Sequence, residues 1–172
     1  MDEVDSIIRR FHSKNPEDFK KTSKADLILS LFGFPEDQRV LPFLLTVIAD
    51  EIEDETLRIE AIKNLCQYYK ISGVSKRIAD TLSTVLLTDK DFLVRCFAAQ
   101  AAGVCVDEPR LFKIMSDLAI NQSEDMDIRS SAVVSLMQTK NRPMVAKTLR
   151  VLLSEDNNLA KNAKRVLDDW QL

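Results

Sequence analysis

Apolar positions along this chain recur at helical spacing, and they do so in register with a repeated polar mark. The mark is an aspartate, with an apolar residue three positions on, Arg four on, Ala seven on and a small or apolar residue eleven on. The clearest copies begin at Asp54 (Leu57, Arg58, Ala61, Leu65), Asp91 (Val94, Arg95, Ala98, Ala102) and Asp125 (Ile128, Arg129, Ala132, Leu136). A fourth, at Asp156, keeps Leu159, Ala163 and Leu167 but has Ala160 at the arginine position; a degenerate first copy at Asp18 keeps only Ala25 and Leu29. Offsets three, seven and eleven share one face of a helix, and an aspartate at the start is a good N-cap that also suits the positive end of the helix dipole. The central alanine leaves room for a neighbouring helix to approach closely.

A second apolar helix precedes each of the four later copies. Val40, Leu41, Leu44, Leu45 and Ile48 mark the first; Leu111, Ile114, Met115 and Leu118 mark the third. The joins are a few residues long, which predicts antiparallel helical hairpins. Pro35, Pro109 and Pro143 fall near the starts of these first helices, where a missing amide costs little; Pro42 either kinks its helix or marks the true start. Alternating β-branched runs are absent, so no strand is predicted. One hairpin cannot bury its apolar face alone, and a recurrence of this size predicts a stacked array of four to five hairpins.

The phrase Asp-x-x-Val/Leu/Ile-Arg-x-x-Ala after an apolar helix resembles the HEAT-repeat family, and its short form is similar to the bacterial HEAT-like repeats of phycobilisome lyase-type proteins. The resemblance spans about residues 35–170. It implies an all-α fold, a right-handed α–α superhelix whose second helices line a concave face, and a structural ladder between units made by Asp54, Arg58, Asp91, Arg95, Asp125 and Arg129. A single domain over 1–172 is expected: 1–34 as N-terminal cap and degenerate repeat, 35–153 as central repeats, 154–172 as a capping helix whose Trp170 covers the last exposed core.

Composition narrows the function classes. A net charge of −3 argues against general nucleic-acid binding. The acidic start, Asp2-Glu3-Val4-Asp5, lacks the features of a secretory signal, and no apolar run is long enough for a bilayer; three cysteines, Cys66, Cys96 and Cys105, read as reduced thiols. The expected location is the cytoplasm. His12 is the only histidine, which removes most nucleophile–histidine pairs and metal sites. No Gly-rich phosphate loop is present, and the carboxylate pairs sit at helix starts, where they cap amides. No cofactor, no metal and no catalytic residue is expected. Cys96, following Arg95, is the thiol whose reactivity a neighbouring cation could raise.

What remains is a surface. With offsets three, seven and eleven inward, offsets five and nine lie opposite, flanked by six and thirteen. The partner-binding candidates are therefore Ile59, Lys63 and Gln67, then Cys96, Phe97 and Gln100, then Ser130, Val134 and Gln138, centred on Phe97. A neutral centre with an aromatic anchor predicts a groove for a partner peptide or helix. The leading expectation is a non-catalytic protein-interaction module, an adaptor, regulator or assembly factor, monomeric or weakly dimeric, with an unidentified protein partner and no membrane. Two alternatives stand beside it: a HEAT-like DNA-binding enzyme similar to alkylpurine DNA glycosylases, and a chromophore-lyase-type maturation factor suggested by the repeat style.

Overall fold

Helix follows helix through the whole of the computed structural model, which describes residues 2–69 and 71–172. Ten α-helices occur among the described residues, and no strand: α1 (Glu3–Phe11), α2 (Lys24–Ser30), α3 (Val40–Ala49), α4 (Glu55–Asn64), α5 (Ser75–Thr88), α6 (Phe92–Ala101), α7 (Pro109–Ile120), α8 (Met126–Leu136), α9 (Arg142–Leu152) and α10 (Asn158–Trp170). No helix among these residues is long and apolar enough to cross a membrane.

The capping aspartates work as the spacing predicts in the three central copies. Asp54, Asp91 and Asp125 accept from the amides of Thr56, Val94 and Asp127. Pro42 is the third residue of α3, in the first turn, where its missing amide needs no partner within the helix. The outer copies differ. Asn157, not Asp156, caps α10, its Oδ1 accepting from Ala160 N at 3.0 Å. At the other end Asp18 lies in a short 3₁₀ turn, Pro16–Phe19, and caps nothing; α2 begins instead at a capping box formed by Ser23 and Asp26. That shift rotates Leu29 outward to 51% exposure, while Leu27, Ile28 and Leu31 take the core positions.

The helices pair as hairpins, α1 with α2, α3 with α4, α5 with α6, α7 with α8 and α9 with α10. Across hairpins, α2, α4, α6 and α8 pack side by side in one layer, and α3, α5, α7 and α9 in a second. The core runs between the layers. Leu44, Ile48, Ile62, Leu65, Ile78, Leu82, Leu86, Leu111 and Met115 are fully buried there, each contributing about 1.5–3 kcal/mol by burial. Ala61, Ala98, Ala132 and Ala163 have no exposed surface, in keeping with an inward-facing position on each second helix.

Polar groups stitch the hairpins together. Arg58, Arg95 and Arg129 each cross to the end of their own first helix and donate through Nε to Ile48 O, Leu86 O and Ala119 O, at 3.1 Å in all three cases. Those carbonyls belong to helix C-termini that have no partner within the helix. The same guanidiniums pair with an acid of the following hairpin: Arg58 with Asp89, Arg95 with Glu124 (2.5 Å) and Arg129 with Glu155 (2.5 Å). The expected ladder therefore needs correcting in one respect. The repeat aspartates Asp54, Asp91 and Asp125 are spent on caps, and the arginines pair with acids one or two positions ahead of the next cap. Two further links sit at the opposite helix ends, where Asn64 Nδ2 donates to Ile28 O at 2.9 Å and Ser135 Oγ to Ala99 O at 2.6 Å. At the C-terminus the Trp170 indole packs against the core, with the Arg142 guanidinium 5.2 Å from its ring.

Candidate functional site

The nine candidate residues lie on α4, α6 and α8 and on the turns that follow them, and the structure divides them by offset. Offset five is buried. Ile59 and Cys96 are each 8% exposed, which corrects the expectation that they face outward. A helix in the middle of a layer touches its hairpin mate and a lateral neighbour on each side, so its buried arc is wider than a two-helix contact predicts. Cys96 shows this directly: its Sγ lies 4.0 Å from Ser131 Oγ on α8 and accepts from Gln100 Nε2 at 3.6 Å. Ser130 at the same offset is half-buried.

Offset nine, in contrast, is exposed in all three repeats, placing Lys63, Gln100 and Val134 in solvent. Val134 is 60% exposed. Offset six supplies Phe97, half-buried against the core, and Lys63 Nζ sits 5.1 Å above its ring. This cation–π contact joins α4 to α6 and holds the aromatic edge in place. Gln67 is half-buried and donates to Asn64 Oδ1 at 2.7 Å, so it belongs to the inter-hairpin link as much as to the face. Gln138 is exposed, with its amide lying over Gly103. The exposed strip is thus centred on offset nine, with Phe97, Gln100, Val134 and Gln138 as its accessible members and Met137, 38% exposed, added to it. Apart from Lys63 these side chains are uncharged.

The thiols divide as well. Cys66 is exposed, and Cys96 and Cys105 are buried. Burial pushes the Cys105 thiol up to about 12, so it stays protonated. His12 forms the C-cap of α1, exposed, with its ring edge-on to Phe11 at 5.3 Å and to Phe43 at 5.9 Å. No group of three or more His, Cys, Asp or Glu side chains among the described residues is arranged to hold a metal ion.

Two features escape the sequence pattern. One is a groove of about 620 Å³ between α7 and α9, walled by Pro109, Phe112 and Met144. It involves first helices, which the repeat phrase does not describe. The other is a set of exposed apolar residues at or near the caps of successive hairpins, Ile52, Phe92 and Met126. Apolar residues within two positions of a capping aspartate were its visible signal. Comparison with family models, with curated proteins and with solved structures found no significant match. The class that fold and surface define is an all-helical array of paired helices with an exposed, mostly neutral strip along its second helices.

Proposed function

We propose that this chain is a non-catalytic protein-interaction module built as a HEAT-like α–α superhelix, and that a partner peptide or helix docks across the exposed strip of α4, α6 and α8. The supporting observation is that one strip presents both Phe97, steadied by Lys63 at 5.1 Å, and Val134 at 60% exposure. An aromatic anchor and an exposed aliphatic residue on neighbouring helices of a mostly uncharged strip have the composition of an interface centre. Three free cysteines suit a reducing compartment, and the cytoplasm is the location we assign.

The test is affinity capture from the source lysate with the wild-type chain, Phe97→Asp and Val134→Asp. A partner held in stoichiometric amount by the wild type should be lost from both variants. Circular dichroism melts would show both still folded, since neither side chain is fully buried. Retention of the partner by both variants would move the site off this strip. Recovery of nucleic acid or a small pigment in place of a protein would overturn the reading.

A further inference from the structure

The four turns that join the first helix of a hairpin to its second carry an unusual mixture of charge and apolar surface. Residues 50–55, 89–91, 121–127 and 154–157 hold twelve carboxylates and a single lysine, Lys90. The arginines beneath them, Arg58, Arg95 and Arg129, still leave this group at −8, against −3 for the whole chain, so the remainder of the protein is net positive by five. These turns lie side by side along one edge, because Arg58, Arg95 and Arg129 each reach from one hairpin into the next turn. The crowding shows in Glu55, which shares a hydrogen bond with Asp91 and has its carboxyl pushed upward by it.

Most of these acids have structural work. Asp54, Asp91 and Asp125 cap helices, and Asp89, Glu124 and Glu155 hold arginines. Glu51, Asp127 and Asp156 are exposed and have no ion pair among the described residues. Set among them are Ile52 (96% exposed), Phe92 (41%) and Met126 (45%). Phe92 and Met126 directly follow their caps and Ile52 lies in the turn two residues ahead of Asp54, so all three stand outside the core. Folding therefore gives these three little, and on neighbouring turns they offer apolar contact beside the unpaired acids. The surrounding field repels acidic partners and nucleic acid and attracts lysine and arginine.

We propose that this edge docks a basic amphipathic segment of another protein, with its apolar side chains on Ile52, Phe92 and Met126 and its cations against Glu51, Asp127 and Asp156. The surface is separate from the strip on α4, α6 and α8, so either assignment can fail without the other.

The probe is a fluorescein-labelled 14-residue Leu/Lys amphipathic peptide, with a Leu/Glu peptide of the same apolar pattern as its counterpart, followed by fluorescence anisotropy against the full chain. The Leu/Lys peptide should bind and the Leu/Glu peptide should not. Changing Glu51, Asp127 and Asp156 together to Lys should weaken binding about ten-fold or more at low salt and flatten its salt dependence. Ile52→Ser with Phe92→Ser should weaken it about five-fold while leaving the salt slope in place. Met144→Ser, similarly exposed at the far end of the hairpins, should bind as the wild type does. Equal binding of both peptides, wild-type affinity in both edge variants, or a loss in Met144→Ser matching theirs would overturn the assignment. Both edge variants alter exposed side chains, and unchanged melting curves confirm that the comparison is between folded proteins.

Discussion

Arg129 carries a positive charge into a place with almost no water, and its partner Glu155 is buried beside it. Replacing Arg129 with Ala would strand that carboxylate and leave Ala119 O without its donor. The expected cost is about 3 kcal/mol, the usual penalty for breaking a buried pair from one side, measured by urea unfolding. Arg95→Ala should cost less, because Arg95 and Glu124 keep more contact with solvent. The same pairs set an acid limit. Hydrogen bonds from Arg95 and Arg129 hold the Glu124 and Glu155 carboxyls below their ordinary value of 4.5. A carboxyl depressed in the folded state stabilises the fold above its unfolded value and loses that contribution as pH falls through the folded one. The melting temperature should therefore decline as pH drops below about 4.5, and less steeply in Arg129→Ala. At this scale the sequence showed the arginines and their regular spacing. It did not show their partners, because an acid at a cap and an acid one position earlier look alike until the next hairpin is in place.

The second helix of every hairpin starts where a side chain satisfies one of its free amides, whereas α3, α5 and α7 start without a side-chain cap. The central caps were legible because Asp54, Asp91 and Asp125 each stand at the same offset ahead of an apolar residue, an arginine and an alanine. The outer ones were not. Asp156 and Asn157 are adjacent and both suited to capping, and Ser23 with Asp26 offered a capping box that the repeat phrase from Asp18 obscured. Close approach between elements gives a testable consequence at Gly103. This residue is buried after α6, and a Cβ there would run into the side-chain amide of Gln138. The obstructing group is the far end of a flexible, exposed side chain, so Gly103→Ala should cost under about 1 kcal/mol, and Gln138→Ala in the same chain should remove that cost. Thermal melts of the single and double variants check it; a loss of more than about 2 kcal/mol would show that Gln138 is pinned, in the range of true overpacking.

As a whole molecule the chain is polarised, with an edge at −8 in a protein at −3. Neighbouring helices sit about 8–10 Å apart, within reach of one another's charges at low salt. Screening shortens that reach from about 30 Å at 0.01 M to about 8 Å at 0.15 M. Raising salt over this range should therefore raise the melting temperature, and the variant with Lys at 51, 127 and 156 should lose most of the effect. A melting temperature indifferent to salt in the wild type would mean that the −8 left after the arginines is too well solvated to strain the fold.

The sequence by itself determined the all-helical class, the pairing of helices, the three central caps and the inward-facing alanines. All of these follow from spacing within ten or eleven residues, where helix geometry ties position to direction. Only the tertiary structure decided how far around each second helix the burial extends. Ile59 and Cys96 became lateral packing because α4 and α6 each have neighbours on both sides, while Lys63 and Phe97 met across two helices to order the exposed strip. It also decided that four separate acidic turns form one edge. Each turn is an ordinary cap when read alone, and their summed field exists only once the hairpins lie side by side.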